Sequence, residues 1–207
     1  MLRLNKGNNM SPRRFLKRLN SFPSYHDGFT LIEMVVTMAI IGIVTAAAIP
    51  NFSKWREKHE INGQAQKVYF DMMLARTTAV KSNNNVRVIF DTTDHSYQIH
   101  DDSNSNGALD AGENVKNAIL ENNVQFAYNT GISDTDGNGV TSAVSFGGAQ
   151  LVTFDSKGQA SASGNILLLH TSDVGVTDER ARLISVLQAT GAVDYWQYSA
   201  SETPPWK

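Results

Sequence analysis

The chain has 207 residues, with 18 lysines and arginines, 20 aspartates and glutamates, and no cysteine. This length fits one domain with an appendage, and the absence of cysteine excludes disulfides, thiolate metal sites and thiol nucleophiles. Six basic residues and one acid, Asp27, lie in the first 28 positions, so the remainder has 12 basic and 19 acidic residues, a net charge of −7. That charge disfavours nonspecific binding to nucleic acid or anionic lipid.

The first element is an apolar run of 24 residues from Phe29 to Phe52 that contains one charge, Glu33. As a helix it would be about 36 Å long, which is enough to cross a bilayer. The excess of Lys and Arg before it predicts a cytoplasmic N-terminus and an exported C-terminal part. The small-residue step at Gly28-Phe29 lies before the apolar core, so cleavage there would retain the helix, unlike cleavage of a secretory signal.

The segment Gly28-Phe-Thr-Leu-Ile-Glu33, with Gly42 and Pro50 in the apolar helix that follows, resembles the class III signal of type IV pilins and type II secretion pseudopilins. The resemblance implies that prepilin peptidase cuts after Gly28 and that Phe29 becomes N-methylated. The leader is then residues 1–28, or 19 residues if translation starts at Met10. Implied partners are other pilin or pseudopilin subunits, the peptidase and an inner-membrane assembly platform.

Glu33 is the one charge in the apolar run, and a carboxylate at the centre of a bilayer costs on the order of 2.5–3.5 kcal/mol. An amine created at Phe29, four residues earlier, could pair with Glu33 of the same or a neighbouring chain, and such pairing selects register. The resemblance implies this assembly role. The alternative is a glutamate that snorkels to the headgroups.

Beyond Pro50, six apolar residues with 4-3-4-3-4 spacing predict an amphipathic helix that persists to about Asn83: Ile61, Ala65, Val68, Met72, Ala75 and Ala79. The Asn83-Asn84-Asn85 run predicts the end of the helix, and Pro50 is expected only to kink it. The predicted organisation is a leader (1–28), a transmembrane or filament-core helix (29–52), an amphipathic half of the helix (53–83) and a β-rich head (84–207).

The head shows short β-type runs separated by Gly, Asn, Asp and Ser, at 86–90, 97–100, 124–128, 143–146, 151–154, 166–170, 183–187 and 193–198. With no second long helix, they predict an α+β fold in which an antiparallel sheet packs on the N-terminal helix. The segments 152–158, 166–169 and 182–193 resemble the GspH/FimT type of minor pilin and pseudopilin. Ala192 departs from that pattern, which has a basic residue after the closing glycine.

One loop, from Asp102 to Glu113, matches the twelve-residue calcium motif D-x-[DN]-x-[DN]-G-x5-E at every position. Calcium would take side-chain oxygens at the first, third and fifth places, a backbone carbonyl at the seventh, often a water held by the ninth, and a bidentate glutamate at the twelfth. The ligands would be those of Asp102, Asn104, Asn106, Ala108, Asp110 and Glu113. The alternative is a solvated loop of Asn, Asp and Gly turns.

A second segment, Asp134 to Gly139, begins in the same way but has Ser145 at its twelfth place, so a turn is expected there. The histidines form no H-E-x-x-H motif, and no nucleophile elbow, phosphate loop or dinucleotide fingerprint occurs. We therefore do not expect an enzyme, and calcium is the one candidate cofactor.

The sequence thus predicts a minor pilin or pseudopilin, first in the bacterial inner membrane with a periplasmic head and then in a filament. It does not distinguish a pilus from a type II secretion pseudopilus. The alternative is a tip subunit that binds a ligand such as DNA during uptake, which requires a basic patch on the head. From residue 170 onward only Arg180, Arg182 and Lys207 are basic, so nucleic acid is a disfavoured partner.

Overall fold

One long helix and nine strands make up the computed structural model, which describes residues 28–207 except for the side chains of residues 47–51. The leader expected at residues 1–27 lies outside the described residues. The chain divides into two compact units between Thr45 and Ala46. Within the described residues, no helix has both the length and the apolar character needed to cross a membrane.

The helix, α1 (Leu31–Ser82), has a polar cap at each end. At its start the Thr30 hydroxyl accepts the Glu33 N–H at 3.2 Å, as an N-cap residue does. At its end Asn83 adopts a left-handed conformation (φ 54°), and the Asn84 N–H donates to the Ala79 carbonyl at 3.2 Å. This is the Schellman arrangement, and it confirms the predicted end of the helix within one residue.

The strands form two antiparallel sheets, ordered β3-β2-β1-β6 and β4-β7-β8-β9, with β5 also paired to β7. Their bounds are β1 Asn85–Asp91, β2 Ser96–Asp102, β3 Val115–Ile119, β4 Val124–Phe126, β5 Val144–Phe146, β6 Leu151–Phe154, β7 Gly164–His170, β8 Arg182–Leu187 and β9 Ala192–Gln197, with a 3₁₀ turn at Thr171–Asp173. Eight of the nine strands lie at predicted positions. The ninth, β3, was not predicted because it is a mostly exposed edge strand with a polar centre, Lys116-Asn117.

The main core lies between the C-terminal half of α1 and the inner faces of both sheets. All six residues of the predicted α1 stripe are at most 1% exposed. They pack with residues such as Val88, Val152 and Phe154 from the first sheet and Ile166 and Ile184 from the second. The α+β class is confirmed, with two sheets on the helix rather than one.

A second, smaller apolar cluster contains alternate residues of the second sheet. Strand β7 places Ile166 and Leu168 in the main core and Leu167 and Leu169 in this second cluster. A strand buried on both faces is a continuous apolar run rather than an alternating one. Trp206 completes the second cluster at 6% exposure, and its indole N–H donates to the Ser133 carbonyl at 2.8 Å.

A buried polar bridge ties α1 to the first sheet. The hydroxyl of Tyr97, on β2, donates to Asp71 Oδ2 at 2.7 Å, and Lys116 of β3 forms an ion pair with the same carboxylate. Burial is the main factor that raises the pKa of Tyr97, and the hydrogen bond to Asp71 adds to it. The phenol therefore stays protonated in the folded chain under conditions where it ionises in the unfolded one.

This bridge predicts a loss of stability in alkali. Below the ordinary pKa of tyrosine, 10.0, both states are protonated and the contribution of Tyr97 is fully present; above it the unfolded state alone releases the proton, so the free energy of unfolding falls. We expect the melting temperature to fall between about pH 9 and 11, and less steeply in Tyr97→Phe. Identical slopes in the two proteins would contradict this assignment.

Candidate functional site

The expected processing site lies in irregular backbone just before α1. Gly28, Phe29 and Thr30 are outside regular structure, and the Phe29 side chain is 76% exposed. Glu33 is exposed in the first turn of α1, where a carboxylate also interacts favourably with the helix dipole. In the structure, Thr30 and Glu33 therefore stabilise the N-terminus of the helix, Thr30 as its cap and Glu33 through the helix dipole.

The N-terminal part of α1 exposes apolar side chains on all sides. Residues 28–46 are all exposed, including large side chains that elsewhere form cores. These are Phe29, Leu31, Ile32, Met34, Val35, Val36, Met38, Ile40, Ile41, Ile43 and Val44, which are 47–82% exposed. A contiguous apolar surface of this extent is typical of a segment that another protein or a membrane covers.

The predicted calcium loop joins β2 to β3. Asp102 is the last residue of β2 and is buried, whereas residues 103–112 are exposed. The side-chain amides of Asn104 and Asn106 donate to Asp110 Oδ2 at 2.7 and 2.6 Å. Glu113 accepts the N–H groups of Ser103 and Asp110 at 3.1 and 3.0 Å.

The structure therefore brings the predicted loop residues together through hydrogen bonds, and Ala108 donates its N–H to Asn106 Oδ1 at 2.6 Å. Over residues 28–207, no group of three or more His, Cys, Asp or Glu side chains is gathered as a metal site. In the structure, hydrogen bonds donated by side-chain and backbone amides of the loop hold it in this conformation.

The second Asp-rich segment is a turn, as expected. Asp134 Oδ1 accepts the N–H groups of Asp136 and Asn138 at 3.0 and 2.8 Å, and the Asp134 N–H donates to the Asn138 carbonyl at 2.8 Å. Each carboxylate oxygen of Asp134 is hydrogen-bonded within the turn. This segment needs no ion to complete its hydrogen bonds.

Sequence reasoning missed a junction that Arg76 makes between α1 and two turns of the head. Its Nε donates to the Gly158 carbonyl at 3.1 Å, and its Nη2 donates to the Thr190 carbonyl at 2.8 Å. The two turns are so close that a Cβ on Gly191 would lie 1.9 Å from the Gly158 carbonyl oxygen. This close approach requires glycine at position 191, whereas at position 158 glycine suits the left-handed backbone, φ +76°.

A second missed group joins α1 to the 3₁₀ turn. Arg180 forms ion pairs with Asp173, which is 1% exposed, and with Glu57 of α1. These carboxylates, led by the hydrogen bond to Asp173, raise the pKa of Arg180. The partners are separated by up to 123 positions, so sequence spacing could not have identified the pairs.

Arg182 is a buried arginine at 2% exposure, held by neutral oxygen atoms. Its Nε donates to Asn62 Oδ1 at 2.8 Å, and its Nη1 donates to the carbonyls of Arg180 and Ala181 at 3.0 and 2.8 Å. Burial lowers the pKa of Arg182 from its usual value. Its position makes it part of the packing between α1 and β8 rather than a surface site.

Comparison with known protein families shows which family this chain, with its long helix and β-rich head, resembles. A family model described as Type II transport protein GspH matches residues 64–190, more than half of the chain. The chain belongs to the GspH family. The prokaryotic N-terminal methylation motif matches residues 24–49 of this GspH-family chain, which include Gly28, Phe29 and Glu33. The description of this family names transport and no catalytic activity.

Individual proteins are similar over parts of the GspH-family chain. The type IV major pilin protein PilA of Myxococcus xanthus (strain DK1622) is 49% identical over 41 residues, which is 20% of this chain and 19% of that protein. The match thus spans about a fifth of that relative's length.

Two solved structures are also similar. The minor pseudopilin EpsH of the type 2 secretion system of Vibrio cholerae has a TM-score of 0.44 at 15% identity, over 67% of this chain and 97% of that one. The type IV minor pilin FimU of Pseudomonas aeruginosa (strain PAO1) has a TM-score of 0.44 at 12% identity, over 72% of this chain and 95% of that one.

Proposed function

We propose that this GspH-family chain is a minor pilin or pseudopilin, a structural subunit of a type IV pilus or a type II secretion pseudopilus. It is made as a prepilin, cleaved after Gly28 by prepilin peptidase and N-methylated at Phe29. Residues 29–52 then hold it in the inner membrane, with the head in the periplasm, until the assembly platform adds it to a filament with other subunits.

The observation that carries this proposal is the bare apolar surface of residues 29–44. One charge, Glu33, interrupts this stretch, and its large apolar side chains are all exposed. Exposing that much apolar area to water is unfavourable by roughly 25 cal/mol for each Å². A bilayer before assembly, and neighbouring helices after it, would supply the missing cover.

Within that surface Glu33 has the position of an assembly contact. Its backbone N–H is satisfied by Thr30, and its side chain is exposed among apolar neighbours. Inside a filament a carboxylate surrounded by apolar helices needs a cationic partner, because an unpaired buried charge costs several kcal/mol. The amine that cleavage creates at Phe29 is a cation of the right kind at the N-terminus of the same or a neighbouring helix.

Removal of this carboxylate tests the proposal. We expect Glu33→Ala to insert into the membrane normally. Its yield on co-purification with the other filament subunits should be at most about a tenth of the wild-type yield, because the amine at Phe29 loses its partner. Thr37→Ala is the matched control: Thr37 is exposed one turn further along and donates only to the Met34 carbonyl within its own helix. An unchanged yield for Glu33→Ala would assign Glu33 to the headgroup region instead.

The competing function, capture of DNA at a filament tip, gains no support from the basic residues of the C-terminal region. Arg180 is occupied by Asp173 and Glu57, and Arg182 is buried. A phosphate backbone requires exposed and clustered Lys and Arg side chains. In the described head, both arginines are therefore engaged in intramolecular contacts and are not available to bind phosphate.

A further inference from the structure

We propose that the loop from Asp102 to Glu113 binds one calcium ion. The proposal concerns the head alone and does not depend on the filament role. It rests on the complete motif and on an independent observation: Asp102 is 3% exposed, and its Oδ1 atom is buried with no hydrogen-bond partner among the described residues. A buried carboxylate oxygen without a donor is unfavourable, which calls for a cation or a donor at that position.

The other oxygen of Asp102 shows that this carboxylate lies inside the loop. Asp102 Oδ2 accepts the N–H of Gly107 at 3.0 Å, so the sixth residue of the motif folds back over the first. Gly107 has φ +75°, a conformation that favours glycine, and makes the sharp turn that calcium loops require at this place. The partnerless Oδ1 therefore belongs to a carboxylate fixed within the turn.

The amide oxygens of the third and fifth places are held in the same turn. Asn104 Oδ1 accepts the Asn106 N–H at 3.0 Å, and Asn106 Oδ1 accepts the Ala108 N–H at 2.6 Å. An amide oxygen has two lone pairs, so each keeps one for a cation. Together with Asp102 Oδ1 they supply three of the six to eight oxygens that calcium takes.

The two remaining carboxylates hold the loop through hydrogen bonds that an ion would have to replace. Asp110 is exposed, and its Oδ2 accepts the side-chain amides of Asn104 and Asn106 at 2.7 and 2.6 Å. Glu113 accepts only from backbone N–H groups, those of Ser103 and Asp110. Calcium would take Glu113 in a bidentate manner and Asp110 directly or through water.

One basic side chain, Arg87 of β1, opposes the proposal. A Cβ on Gly107 would lie 2.5 Å from Arg87 Nη1, so the guanidinium lies against the loop, although no hydrogen bond or ion pair joins it to Asp102 in the described chain. Its charge repels a divalent cation, and in solution it is the rival partner for Asp102. The test therefore includes this residue.

The experiment uses the full-length chain in detergent, stripped of metal with a chelator and titrated calorimetrically with calcium chloride alone. We expect one calcium per chain and a rise in melting temperature of about 5–10 °C at a hundredfold excess over Kd. Magnesium should raise it less, because Mg²⁺ demands a tighter octahedral shell. Asp102→Asn and Glu113→Gln should each weaken calcium binding about tenfold or more.

Asp136→Asn is the matched control, since it removes one carboxylate from the exposed second turn and should bind calcium like the wild type. The circular dichroism of each variant without calcium shows whether it is folded, and Glu113→Gln decides the outcome if Asp102→Asn is not. No binding at millimolar calcium, or unchanged affinity in both loop variants, overturns the site. The site is also overturned if calcium does not change the melting temperature of the wild type and Arg87→Gln lowers the stability of the calcium-free protein. That result would make Arg87 the partner of Asp102.

Discussion

Gly28→Glu is expected to leave the protein as an uncleaved precursor in the membrane fraction. The resemblance to prepilins implies a peptidase that needs a small residue before the cut, and glutamate is long and charged. Among the described residues, nothing lies within 4 Å of the position of a Cβ on Gly28. A side chain at this position therefore has room next to the described part of the chain, and we expect the defect to be one of processing rather than of folding.

Intact-mass measurement decides this prediction. The wild-type chain should begin at N-methyl-Phe29, Gly28→Glu should retain its leader completely, and Gly28→Ala, which keeps a small residue, should be cleaved. A mature N-terminus inside the apolar run or after Pro50 would contradict the proposed processing and with it the prepilin assignment.

Gly191→Ala is expected to cause a large loss of stability of the head. A Cβ at this position would lie 1.9 Å from the Gly158 carbonyl oxygen, a backbone atom that cannot rotate away as a flexible side chain could. The two turns would have to separate, so Arg76 could no longer donate to the carbonyls of Gly158 and Thr190 at the same time. The left-handed backbone at Gly191, φ +60°, adds about 1–2 kcal/mol for a residue with a Cβ.

Denaturant unfolding measures this effect, and we expect a total cost of about 3 kcal/mol or more. Gly175→Ala is the matched control, because Gly175 has a similar φ of +73° but nothing within 4 Å of its Cβ position. It should lose only the backbone contribution, about 1–2 kcal/mol. Equal losses in the two variants would show that the Gly158–Gly191 contact relaxes without cost.

Patterns that depend on one segment were predictable from the sequence. The 4-3-4-3-4 spacing of Ile61 to Ala79 placed the buried stripe correctly because helix periodicity alone decides which face is covered. The ends of α1 depend on Thr30 and Asn83, which act on backbone groups a few residues away. The calcium motif from Asp102 to Glu113 also depends on twelve consecutive residues, and its binding of calcium stays a prediction.

Features that depend on distant partners could not be predicted. The segment Val115–Ile119 forms β3 because it pairs with β2, not because of its own exposed and polar residues. The sequence identifies Arg180 and Arg182 only as basic residues, whereas in the structure Glu57, Asp173 and Asn62 hold them between α1 and the head. The sequence also did not show that Leu167 and Leu169 of β7 pack into a second cluster on the other face of their sheet.

The position of β6 beside β1 has a consequence for the order in which the head folds. Val88 pairs with Ile99 in a local hairpin, 11 positions away, and with Val152, 64 positions away. Closing the longer loop costs more chain entropy, and topologies dominated by such pairings fold in milliseconds to seconds. The hairpin β1–β2 can form early, but β6, whose Val152 and Phe154 pack against α1, joins the sheet late. During that interval the apolar stripe of α1 is uncovered, and a chain in this state is prone to aggregation or dependent on a chaperone.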